Sequence, residues 1–156
     1  MITVLLICHS ILAVTLLGAL THQSISIWWP ARAGSNSGFV TSLRSVHAAK
    51  YVNAVIVLYL ATAIIGGLFL YPTYRVFVRT FLERLGRLPV VGSFELKENL
   101  TAIGLGLLPA YWYYWRQPLA PEHARNRGLV TLFLTLIVWW GFLVGHVINN
   151  IRGFGL

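Results

Sequence analysis

The sequence predicts an all-α integral membrane protein: a four-transmembrane-helix bundle with an amphipathic surface helix between spans 2 and 3. Three observations carry that prediction. Of 156 residues, 57% are hydrophobic and 10% are charged, whereas soluble domains carry roughly 25% charged residues. Mean hydropathy is +0.72. The apolar residues also gather into four runs, Ile2 to Leu20, Tyr51 to Tyr71, Leu100 to Trp115 and Leu129 to Ile151. A spanning helix needs about 20 residues, and the first, second and fourth runs meet that directly. The third meets it only by starting near Leu96, which brings Lys97 and Glu98 to the membrane edge. The expected spans are about 2–21, 48–71, 96–115 and 129–151, in a single membrane domain over 1–156.

The first run lacks the positively charged start of a secretory signal. Its apolar stretch also exceeds the usual length of about 7–15 residues, so it reads as a retained span. The single Cys8 excludes an internal disulfide and reads as a small core residue. An even number of spans puts both termini on one side, here called X. Side X receives Arg75, Arg79, Arg84, Arg87, Lys97 and Arg152. Side Y receives Arg32, Arg44, Lys50, Arg116, Arg125 and Arg127. That tie leaves the positive-inside rule silent. The long, Ser/Gly/Asn-rich and nearly uncharged first Y loop favours cytoplasmic termini in a bacterial inner membrane.

Between the second and third runs, Pro72 ends or kinks the span. Arg75, Arg79, Glu83 and Arg87 then recur every four residues opposite Val76, Phe77, Phe81, Leu85 and Leu88. This is the pattern of a helix lying in the headgroup plane, from about Thr73 to Arg87, closed by Gly86 and Pro89. Trp28, Trp29 and the cluster Ala110 to Trp115 fit an aromatic belt on side Y. The net charge of +8 sits in short loops beside spans, where anionic headgroups attract it. Membrane lipid is the expected partner, and nucleic acid is not.

Five histidines are present. His123 lies in a charged loop, and His22 and His47 lie at the Y ends of the first two spans. His9 and His146 are different: each lies about 10 Å inside the X face at 1.5 Å rise per residue. Ionisable residues inside spans are costly and usually face the bundle interior, and two histidines at one depth could ligate a haem iron axially. Gly141 and Gly145 form a GxxxG spacing that ends beside His146. That spacing suits close helix packing, or a flat surface for a porphyrin. Glu98 lies above a stripe of Ala102, Gly106 and Ala110. It could pair with a cation, hydrogen-bond a histidine or handle protons for a quinone; alternatively, Glu95 and Glu98 complement a positive helix N-terminus. His9 and His22 lie about 140° apart at about 100° per residue, so one haem fits better than two. His22 and His47 are secondary candidates, with Glu98. There is no aspartate, no HExxH, no GxSxG and no phosphate-cradling loop. Copper at Cys8, His9 and His146 is conceivable.

Four short-looped spans with His9, His146 and the glycines at 141 and 145 resemble the small four-helix b-type cytochrome membrane subunits. The likeness to copper-resistance-type four-helix modules is looser. The first resemblance implies haem b held by His9 and His146, and electron transfer to or from quinone within a respiratory or photosynthetic complex. Such a chain is a subunit of an oxidoreductase rather than an enzyme by itself, and its partners are other subunits. Two other readings stay open: a cofactor-free accessory subunit, and a small metal or solute transporter.

Overall fold

A computed structural model describes residues 2–30, 47–117 and 121–154, with only the backbone of residues 121 and 152–154. Most of the first Y loop, with Arg32 and Arg44, lies outside the described residues. The described chain is helical almost throughout. Helix α1 covers Ile2–Trp28, α2 is the helical run Ala48–Arg84, α3 covers Leu88–Arg116 and α4 covers Pro121–Phe154. Three helices, Ile2–Trp28, Ala48–Arg84 and Glu122–Ile151, are long and apolar enough to cross a membrane by length and composition. Helix α3 has the length, at 29 residues, but Glu95, Lys97 and Glu98 interrupt its apolar character.

The helices pack in chain order around a square. Helix α4 lies along α1 and α3, and α2 closes the other two sides. Neighbours run antiparallel, so the start of α1 and the end of α4 meet at one end of the bundle.

The loop between α2 and α3 departs from expectation. No separate helix begins near Thr73, because α2 runs without a break through Pro72 to Arg84. Two π-helical stretches, Ile65–Leu70 and Tyr74–Val78, flank the proline. Their wider turns absorb the hydrogen bond it cannot make. Tyr74, Val78 and Leu82 bury one face against Val91, Phe94, Val144 and Ile148. The apolar residues expected to form the membrane-facing stripe, Val76, Phe77 and Leu85, stay exposed. The run ends at Gly86, whose φ of 66° is open to glycine at low cost. Gly86 N–H donates to the Glu83 carbonyl at 3.0 Å and Arg87 N–H to the Leu82 carbonyl at 2.9 Å, a Schellman closure.

Helix α3 starts at Leu88, eight residues before Leu96. Pro89 sits in its first turn, where a missing N–H costs nothing. Glu95 and Glu98 therefore lie well inside the helix, and their expected role at a helix N-terminus does not hold. Arg79 takes up Glu95 instead, at 2.9 Å, together with Glu83 at 2.7 Å. The stripe below Glu98 also fails as a packing face: Ala102 and Gly106 are exposed. The close approach is at Gly104, where a Cβ would lie 1.8 Å from the Tyr59 hydroxyl.

The Y half of the bundle is a closed core crossed by side-chain hydrogen bonds. Gln23 is fully buried; its amide donates to the Ala48 carbonyl at 3.0 Å and accepts from the Tyr111 hydroxyl at 2.7 Å. One side chain thereby ties α1 to α2 and, across the diagonal, to α3. Trp115 Nε1 donates to Thr131 Oγ1 at 3.0 Å. The Thr135 hydroxyl lies 2.7 Å from Ser24 Oγ. Leu16, Leu20, Val55, Tyr59, Leu108 and Leu134 fill the space between these bonds.

Candidate functional site

The X half is built differently. Here the four helices part around a cavity of about 390 Å³, within the range of about 300–1,000 Å³ typical of small-molecule sites. Helix α1 contributes His9 and Ser10, and α2 contributes Gly66, Tyr71 and Tyr74. Lys97, Glu98 and Thr101 come from α3, and Gly141, Gly145, His146 and Asn149 from α4. The structure thus brings together His9, His146, Gly141, Gly145 and Glu98, the residues singled out in the sequence. His22 and His47 lie at the other end. The His22 imidazole is hydrogen-bonded to the Tyr51 hydroxyl. His47 is exposed and precedes the first turn of α2.

The glycines at 141 and 145 do not serve close helix packing. A Cβ on Gly145 would meet open space, and one on Gly141 would meet only Lys97 Cγ, at 3.8 Å. Both form part of the cavity wall. The tight glycine is Gly66 on α2, where a Cβ would lie 2.9 Å from His9 Cε1. The imidazole is therefore seated edge-on against the α2 backbone, and it also meets the backbone of Thr62. Gly66 belongs to the π-helical stretch. Tyr74, which stacks on Phe94 with centroids 3.5 Å apart, belongs to the second one. π-Turns inside α-helices are frequent at functional sites, and here both border one cavity.

Electrostatically the site is close to neutral. Lys97 Nζ is 2.9 Å from Glu98 Oε1, both side chains being less than one third exposed, and the ammonium also lies 4.4 Å from the Phe94 ring centroid. His146 is exposed and stacks on Phe142 at an interplanar angle of 8°. Two enclosed side-chain atoms among the described residues have no hydrogen-bond partner: His9 Nδ1 and the Tyr74 hydroxyl. Both side chains line this cavity. Leaving such an atom unpaired costs about 1–3 kcal/mol.

The haem implied by the resemblance needs an imidazole nitrogen free to face an iron. As placed, His9 has Nδ1 enclosed and its Cε1 edge against Gly66, while His146, which lines the same cavity, is exposed. Among the described residues no three His, Cys, Asp or Glu side chains gather as a metal site, and Cys8 is exposed.

Sequence reasoning missed Tyr74 and Gly66; pairing of Glu98 with a cation was one of its alternatives, and Lys97 supplies that cation. The adjacent glycines at 66 and 67, in the middle of an apolar run, were the available signal. The fold and cavity define an all-helical protein with helices suited to a membrane. No family model, curated protein or solved structure matches the chain.

Proposed function

We propose that the chain is a quinone-binding electron-transfer subunit of a membrane oxidoreductase complex, with α3 as a fourth span and the X-side cavity as the quinone site. The observation that carries this reading is that the two side chains with an enclosed, unpartnered polar atom, His9 and Tyr74, both line one largely apolar cavity. A quinone is a neutral ring with carbonyl acceptors on a lipophilic tail. The site offers donors at Tyr74 and Lys97 and, because Glu98 balances Lys97, no net charge to favour an anion. Gly141 and Gly145 leave room for a flat ring. Reduction of a quinone takes up electrons and protons in equal number. Glu98 and His9 are the groups able to exchange those protons, and the electrons come from a redox centre on a partner subunit. Trp139 and Trp140, 39% and 36% exposed, suit contact with that subunit or with lipid.

Tyr74→Phe separates this reading from a structural one. The hydroxyl has no partner in the ligand-free protein, so removing it should leave thermal stability unchanged or slightly raised. It should weaken binding of a short-chain quinone by about 2- to 13-fold, the value of a hydrogen bond of about 0.5–1.5 kcal/mol. Unchanged binding, or purified wild type that takes up no quinone, refutes the site. A b-type band in the reduced-minus-oxidised spectrum of the same preparation would restore the haem reading in its place.

A further inference from the structure

A second site lies at the opposite end of the bundle, and it has the opposite electrostatic character. Arg127, two turns into α4, is 5% exposed. Its guanidinium donates one hydrogen bond, to the Tyr114 carbonyl at 3.4 Å, and lies 5.7 Å from the Trp115 ring centroid. No carboxylate neutralises it. The chain has four acidic side chains. Glu83 and Glu95 are held by Arg79, and Glu98 by Lys97, at the far end. Glu122 is 75% exposed and lies 4.0 Å from His123. A buried cation without a counter-ion is strongly disfavoured. Yet the unused guanidinium N–H groups are not sealed, because the enclosed unpaired side-chain atoms among the described residues are His9 Nδ1 and the Tyr74 hydroxyl.

The surroundings place Arg127 at headgroup depth. Trp28, Trp29, Trp112 and Tyr113, all exposed, ring this end of the bundle as an aromatic belt does. The end of α1 fixes α4 here: a Cβ on Gly128 would lie 3.1 Å from the Trp28 ring. Arg116 and Arg125 add exposed positive charge nearby. A planar guanidinium fork held at the edge of a membrane is matched by a phosphate group, which it can engage through two parallel charge-assisted hydrogen bonds.

We propose that Arg127 binds the phosphate of a phospholipid headgroup, which supplies the counter-ion the protein lacks. The site is independent of the quinone cavity.

Native mass spectrometry of the full chain in a neutral detergent tests it, with short-chain phosphatidylglycerol, the diacylglycerol of the same chains and inorganic phosphate as separate probes. The wild type should retain phosphatidylglycerol at concentrations where the diacylglycerol is not retained. Arg127→Gln should weaken that retention about tenfold or more, while Arg125→Gln on the exposed side leaves it unchanged. If Arg127→Gln does not fold, Arg127→Lys keeps the charge but loses the fork, and should retain the lipid several-fold less well. Equal retention of the diacylglycerol by the wild type overturns the proposal, as does wild-type retention of phosphatidylglycerol by the folded position-127 variants. Inorganic phosphate that binds in the same range and displaces the lipid overturns the assignment to a phospholipid.

Discussion

Replacing Gly66 by alanine sets a methyl carbon 2.9 Å from His9 Cε1, against 3.4–4 Å for ordinary contact. The clash is therefore about 0.5 Å deep. Helix α2 packs against α1 and α3, so the imidazole, a side chain that lines the cavity, is the readiest group to yield. Overpacking a well-filled site costs about 1–3 kcal/mol, and alanine returns up to about 1 kcal/mol over glycine in a helix. A net loss of about 0–3 kcal/mol follows, toward the lower end because the cavity accepts the displaced ring. The same displacement fills ligand space and misaligns His9, so quinone binding should weaken by about 2- to 13-fold, the value of one hydrogen bond. Gly18→Ala on α1 is the control, since its Cβ would enter open space and the residue does not line the cavity; it should bind as the wild type does and be no less stable. Thermal unfolding in detergent, alongside a quinone titration followed by tryptophan fluorescence, reads both quantities. If the two variants behave alike, His9 is not seated against Gly66 as described and the cavity wall has been misassigned.

Two further outcomes concern the walls of the bundle. Gln23→Leu should cost about 1–3 kcal/mol, because it leaves the buried Tyr111 hydroxyl and the Ala48 carbonyl unpaired; adding Tyr111→Phe should recover part of the loss, and a double-mutant cycle with no coupling contradicts the bond between them. Gly141→Ala and Gly145→Ala should keep or slightly raise thermal stability, because neither methyl meets a neighbouring helix; a loss above about 1 kcal/mol would show that the glycines do mediate close packing.

Much of the bundle was legible because membrane helices are written in long apolar runs; which residues of those runs turn inward, Leu16, Leu20, Val55 and Leu134 among them, was not, because the runs are apolar on every side. His9, His146 and Glu98 stood out for the same reason in reverse, as ionisable residues within or beside those runs, and all three line one cavity. What misled was local punctuation. Pro72 reads as a stop, but π-turns on both sides let the helix continue, and no single-residue rule signals such turns. Arg75 to Arg87 reads as a separate surface helix because its charge period is clear; the buried face at Tyr74, Val78 and Leu82 depends on α3 and α4, which a local pattern does not contain. The small-residue stripes at 102–110 and 141–145 were both read for packing, and both face open space. The glycines that do admit a close neighbour, Gly66, Gly104 and Gly128, admit side chains, those of His9, Tyr59 and Trp28 with Ile27, rather than helix backbones.

The two π-stretches also govern rotational phase. Tyr59 and Tyr74 both meet α3, the first donating to the Thr101 carbonyl at 3.2 Å and the second stacking on Phe94. In an uninterrupted α-helix, fifteen positions at about 100° each would leave Tyr74 about 60° out of line with Tyr59. π-Turns rotate less per residue, and the stretch Ile65–Leu70 lies wholly between the two tyrosines, so it winds Tyr74 back toward the same neighbour. Lengthening or shortening the chain by one residue there would swing everything from Tyr71 to Arg84 by roughly one residue's angle. Tyr74 would leave the cavity, and Arg79 would turn away from Glu95. The spacing of residues through 65–70 thus fixes which face of the last third of α2 the rest of the molecule encounters.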